Sequence, residues 1–173
     1  RNGKKVIRKQ DFLDAVDRIV GGLEKRGKII SPEEKEVIAV HEAGHAVISW
    51  LLKHADPLIK VTIVPRGRSL GAAWYLPEER QITTTEQLMH RMCAALGGRG
   101  AEQVIFKEIS TGALSDLEKV TKQAQAMVMV YGLSDVLGHI SYYDSTGQAA
   151  NFTKTYSEET ARLIDTEIKK MVD

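Results

Sequence analysis

The amino-acid sequence predicts a mainly α-helical domain with a small β element near residues 60 to 77. Three observations predict it. Apolar residues recur at helical spacing over most of the chain. Helix-starting signatures precede those runs at 31–34, 83–86 and 157. Only one region, around "KVTIVP" and "GAAWYLP", is short, β-branched or aromatic, and punctuated by glycine and proline.

The elements follow in order. Asp11 can cap a first helix in which Phe12, Leu13, Val16, Ile19 and Val20 share a face, and Gly21-Gly22 stops it. The charged "LEKRGK" sets a boundary near residue 26. "SPEE" places Ser31 at an N-cap, Pro32 at N1 and Glu34 at N3, starting a helix that runs to about residue 54 and ends before Pro57. "KVTIVP" reads as a strand, "RGRSLG" as a turn, and "GAAWYLP" as a second strand closed by Pro77. Thr83 and Glu86 form a capping box for a helix over about 84 to 97. Gly97-Gly98 interrupts it, and the periodicity resumes through Ala101, Val104, Ile105 and Phe106. "STGALSDLEKV" restarts a helix running to Tyr131, stopped by Gly132. "GHISYYD" reads as a short strand, and a last amphipathic helix is capped by Ser157. That helix is still periodic at the chain's end, and the chain lacks an initiator methionine. Both suggest a piece of something longer.

Bulk composition narrows the function classes. With 173 residues and 43% hydrophobic content the chain can bury a real core. Its 24 basic and 23 acidic residues give a net charge of +1, which argues against a nucleic-acid partner. The lone Cys93 fits a reducing compartment, and its place among Leu88, Met92 and Leu96 predicts a core residue. No apolar run reaches the ~20 residues of a membrane span. The N-terminal stretch has no apolar signal core, so a soluble chain is expected. No G-x-x-x-x-G-K-[ST] is present.

The chemistry sits in "VIAVHEAGHAVISWLL". His41 and His45 are i and i+4, one turn apart on one helix face, a spacing that lets two imidazoles bind one zinc ion. Glu42 lies roughly 100° around the axis. It is poorly placed as a third ligand but well placed to touch a water beside the metal. This is H-E-x-x-H, with glutamate as general base. Ala43, Gly44 and Ala46 leave room for metal and substrate, while Val40, Val47, Ile48 and Leu51 supply a buried face. Two core histidines bonded to neighbours would give the same two letters; the small flanking residues favour the metal.

A catalytic zinc takes a third protein ligand. Ile48 and Leu51 stand where the extended H-E-x-x-H-x-x-G-x-x-H would need glycine and histidine. His54 and Asp56 lie too near on the same helix, and Glu78 and Glu79 sit in a solvated polar run. His139 has no evident partner, and His90 reads as a helix-surface residue. Glu102 and Asp116 remain, and spacing does not choose between them.

"VIAVHEAGHAVISWLL", "VTIVPRG", "LGAAWYLPEER", "LGGRGAEQVIF" and "STGALSDLEKVT", in this order, resemble the peptidase domain of the FtsH family. These are membrane-anchored, ATP-dependent zinc metalloproteases, and the resemblance covers roughly residues 10 to 173. It implies that His41 and His45 are zinc ligands, Glu42 the catalytic glutamate, and Asp116 the aspartate completing the site. Glu102 matches an acid close to the metal, supporting a ligand rather than binding zinc; family members often carry a second glutamate next, here Gln103. Gly71, Ala72, Ala73, Trp74 and Tyr75 match an edge strand that receives extended substrate. Residues 1–26 match the end of an AAA+ ATPase module and linker, and 27–173 the peptidase domain.

The resemblance further implies one zinc per chain and ATP used only in the absent ATPase module. It implies unfolded or membrane-extracted protein substrates and a homohexameric ring. The parent would be membrane-anchored, with this domain on the cytoplasmic or organellar matrix side. The competing expectation is a non-catalytic oligomerisation module with a structural metal, for which Glu42 would be superfluous.

Overall fold

The structure, a computed structural model of the chain, describes residues 6–20, 22, 29–65, 70–76, 81–143 and 156–173. It is mostly helical. In order, α1 spans Lys9–Val20, α2 Pro32–Leu51, β1 Leu58–Thr62, β2 Ala72–Tyr75, and α3 Thr85–Phe106. A 3₁₀ turn at Thr111–Ala113 then leads into α4, Leu114–Met129, and α5 covers Glu158–Val172. The expected boundary near residue 26 and the expected stop at Gly21 lie outside the described residues, as do Arg66, Arg68, Pro77, Glu78 and Glu79.

The helix caps show why these segments start where they do. Ser31 Oγ accepts the Glu34 backbone N–H at 3.1 Å, with Pro32 in the first turn of α2. Ser157 Oγ accepts the Thr160 N–H at 3.2 Å at the head of α5. The capping box of α3 is one residue later than expected. Thr84 Oγ1 accepts the Gln87 N–H, and Gln87 Oε1 accepts the Thr84 N–H at 2.8 Å. Among three consecutive threonines both Thr83 with Glu86 and Thr84 with Gln87 fit the capping-box spacing, and the hydrogen bonds form at the second pair. In α1, Asp11 sits inside the first turn, where Oδ2 accepts the Arg8 N–H at 2.8 Å.

β1 and β2 form an antiparallel pair in which Val61 faces Ala73 and Thr62 faces Ala72, with an irregularity between Leu58 and Lys60. The pair packs against α2. Leu88, Met92, Val120, Ala124 and Met127 form the main core between α3 and α4, closed by Ile168 and Met171 of α5. Val128, Leu137 and Ile164 extend it.

Several expectations are corrected. α3 does not break at Gly97-Gly98; it runs through them to Phe106. The glycines serve a close helix crossing instead. A Cβ at Gly44 of α2 would lie 2.2 Å from the Gly97 carbonyl oxygen, and a Cβ at Gly97 2.6 Å from that of Gly44. Gly44 is therefore small for helix contact rather than to leave room for substrate. α2 ends at Leu51, because Leu52 turns extended after a last bond to the Ile48 carbonyl. Its apolar residues do not all face inward: Val47 and Leu51 are exposed, and the buried face is Ile38, His41, Glu42, Gly44, His45 and Ser49. Cys93 is exposed, since one residue past buried Met92 is roughly 100° around the helix. α4 starts only at Leu114 and ends at Met129. The segment 138–143 pairs with no strand among the described residues; the Tyr142 N–H caps the Met129 carbonyl at 2.7 Å and so ties the loop to the end of α4.

Candidate metal centre

The α2–α3 crossing carries the histidine face of α2 against the middle of α3. His41, Glu42 and His45 are 8%, 8% and 6% exposed, and Glu102 of α3 is 2% exposed. Burial of four such groups without partners would be costly, and each imidazole is tethered through Nδ1. His41 Nδ1 lies 2.6 Å from Glu102 Oε1, and His45 Nδ1 lies 2.8 Å from the Ala94 carbonyl oxygen. A carboxylate and a carbonyl can only accept, so both Nδ1 atoms carry the proton. Both Nε2 atoms are then bare lone pairs, and they face each other at 3.1 Å.

A third acceptor joins them. Asp116 Oδ2, in the first turn of α4, is 3.4 Å from His41 Nε2 and 3.5 Å from His45 Nε2. Donors about 2.0–2.1 Å from a tetrahedral zinc stand about 3.3 Å apart. The three edges, 3.1, 3.4 and 3.5 Å, bracket that spacing. His41, His45 and Asp116 form the one such metal-capable group found among the described residues. With both rings neutral the three converging atoms are all acceptors, which fits a cation, and two nitrogens plus one oxygen fit zinc.

The electrostatics follow the same geometry. Hydrogen bonding to Asp116 raises the affinity of His41 for a proton against the effect of burial, with Glu102 adding to it. Burial works against the charged form of Asp116, yet the two histidines and Lys119 hold its carboxyl well below the usual range. Burial likewise opposes the Glu102 charge, and bonds from Ser110 and His41 outweigh it, so its pKa is lowered. Glu42 differs: burial pushes its pKa up, and the nearby histidines only partly offset that. Its carboxylate lies under the start of β2. A Cβ at Gly71 would sit 2.7 Å from Glu42 Oε1.

The other sequence candidates are not in this cluster. Asp56 pairs with Arg91 at 3.1 Å. The His54 N–H donates to His90 Nδ1 at 3.2 Å, and the two rings stack with centroids 5.4 Å apart. His90 is thus half-buried and bonded rather than a plain surface residue. His139 is exposed. Gly71 is buried, while Ala72, Ala73, Trp74 and Tyr75 are half-buried on β2. The second edge of β2 pairs with no strand among the described residues. Sequence reasoning missed Ala94, whose backbone holds His45, and Gly98, where a Cβ would meet His41 Nε2 at 2.5 Å. It also missed Ser110 beside Glu102. The glycine pair in "LGGRG" was the available signal for Gly98; a backbone carbonyl leaves none.

Residues 28–173 match the model of peptidase family M41. The whole chain is 68% identical to an ATP-dependent zinc metalloprotease FtsH of Parabacteroides distasonis, of which it covers 25%. It is 53% identical to the FtsH of Rhodothermus marinus over its whole length, again 25% of that protein. Over 96% of its length it is 49% identical to the mitochondrial inner membrane m-AAA protease component AFG3L1 of Mus musculus, covering 21% of it. The chain spans about a quarter of the length of the relatives it matches.

Proposed function

The chain belongs to peptidase family M41, the family of the FtsH-type ATP-dependent zinc metalloproteases, and from that premise we propose that it is the peptide-bond-cleaving part of such a protease. His41, His45 and Asp116 hold one zinc ion per chain. The observation that carries this reading is the convergence of two bare Nε2 lone pairs and one carboxylate oxygen, both imidazoles being fixed through Nδ1.

When bound, zinc supplies a Lewis acid that polarises the scissile carbonyl and acidifies water. The chain's own residues do the rest. Glu42 takes a proton from the attacking water as its oxygen bonds to the carbonyl carbon, and returns a proton to the leaving amine as the C–N bond breaks. Burial suits it to the first half, because a carboxyl with a raised pKa accepts the proton more readily. Glu102 keeps His41 in the Nδ1–H tautomer, and the Ala94 carbonyl does so for His45.

Gly71, Ala72, Ala73, Trp74 and Tyr75 receive an extended substrate along the edge of β2. Two observations support this: β2 begins over Glu42, and its second edge pairs with no strand among the described residues. Backbone pairing reads little side-chain identity, which suits unfolded or membrane-extracted proteins as substrates. Residues 1–26 belong with an ATPase module and 27–173 with the peptidase. The assembly is a homohexamer whose parent is membrane-anchored, with this domain on the cytoplasmic or matrix side. No helix among the described residues is long and apolar enough to cross a membrane.

The test is hydrolysis of unfolded casein by the zinc-loaded chain, before and after chelation. Cleavage that stops on chelation and returns with zinc is expected. A chain that carries zinc yet leaves casein and short peptides intact would overturn the reading in favour of a structural metal.

A further inference from the structure

The carboxylate that holds His41 is itself held from one place. Glu102 Oε2 accepts the Ser110 backbone N–H at 2.6 Å, and Glu102 Oε1 accepts the Ser110 hydroxyl at 3.1 Å, beside its 2.6 Å bond to His41 Nδ1. The same Ser110 oxygen accepts the Gly112 N–H at 3.1 Å, capping the 3₁₀ turn that leads into α4. Ala113, at the head of α4, offers no side-chain bond of its own. A serine hydroxyl has one proton and lone pairs to accept with, and here both capacities are used.

We propose that Ser110 is a positioning residue for the metal centre, acting through Glu102 on His41. The reason is geometric. A carboxylate fixed only by the imidazole could rotate about its terminal bond and carry the ring with it. Two donors from Ser110, one to each oxygen, fix the carboxylate plane and so the direction of His41 Nε2. Nothing in the sequence marks the serine as more than a cap. The side chain is exposed, so removing its oxygen opens no cavity in the core. This inference rests on the metal reading above, and its test separates the two.

Zinc affinity is measured by competition with a chromophoric chelator, and the Co²⁺-loaded chain is followed by its visible absorption. Ser110→Ala is expected to weaken zinc binding roughly three- to tenfold and to alter the cobalt bands. That lies below the ~10–100-fold expected for loss of the histidine's partner, since the backbone N–H remains. Ser110→Thr, which keeps the hydroxyl, is expected within about twofold of wild type. In a Glu102→Ala background Ser110→Ala should add nothing.

Unchanged affinity and spectrum in Ser110→Ala would overturn the proposal. So would an equal loss in Ser110→Thr, or an undiminished effect in the Glu102→Ala background, which would make Ser110 a cap alone. Should Glu102→Ala fail to fold, the Ala and Thr variants decide between themselves. A wild type that binds no zinc removes the metal reading and this proposal together; a zinc-binding wild type matched by Ser110→Ala removes this proposal alone.

Discussion

Nδ1 of His41 and Oε1 of Glu102 stand 2.6 Å apart, although 61 residues separate them in sequence. The bond joins the middle of α2 to the last turns of α3, and it decides which imidazole nitrogen stays bare. Replacing Glu102 by Gln keeps the volume but puts an amide where a charge was. Zinc affinity should fall roughly 10–100-fold with the helical content unchanged. Equal affinity, read by chelator competition, would mean that the carboxylate has no part in holding the metal.

Glu42 is expected to matter to turnover and not to metal. Glu42→Gln should lower casein hydrolysis by about 10²–10⁴ while zinc content stays at the wild-type level. Parallel metal analysis and peptidase assays check this. Loss of metal alongside activity would place Glu42 among the residues that hold the site together.

Two glycines two positions apart on α3, Gly98 and Gly100, should respond in opposite directions. A Cβ at Gly98 would enter the His41 ring at 2.5–2.6 Å, whereas one at Gly100 would meet nothing within 4 Å. Gly98→Ala should cost ~1–3 kcal/mol by overpacking and weaken zinc retention. Gly100→Ala should gain about 0.5–1 kcal/mol, since alanine is the better helix former. Thermal melts of both variants, with and without zinc, give the comparison. A neutral Gly98→Ala would show that the ring can move aside at little cost.

Burial holds the phenol of Tyr75 above its ordinary pKa of 10. The folded state therefore keeps that proton longer than the unfolded chain does. The stability linked to it is fully present below pH ~10 and is lost as pH rises through the higher folded-state value. Melting temperatures of wild type and Tyr75→Phe should run parallel at neutral pH and separate above about pH 10, with wild type falling faster. Parallel curves throughout would show that Tyr75 is solvated.

The half of the site carried on one helix was legible in the sequence. His41, Glu42 and His45 take their relation from the 3.6-residue turn alone, and Ser31 with Pro32 fixes where that helix starts. These are local facts, set within a few residues of chain. The small β element was legible for the same reason, through β-branched residues bounded by glycine and proline.

What only the tertiary structure decided are the relations between elements. Gly97-Gly98 looks like a helix stop, and by propensity alone it is one. The crossing of α2 and α3 overrides that cost, because only glycine lets the two backbones meet at Gly44 and lets His41 lie flat against α3. Glu102 and Asp116 could not be told apart by spacing. Packing sends one to an imidazole Nδ1 and the other to both Nε2 atoms. Ser110, Gly98 and the Ala94 carbonyl entered the site for the same physical reason. Periodicity fixes directions within a helix, but the distance between two helices is set by the side chains they bring together.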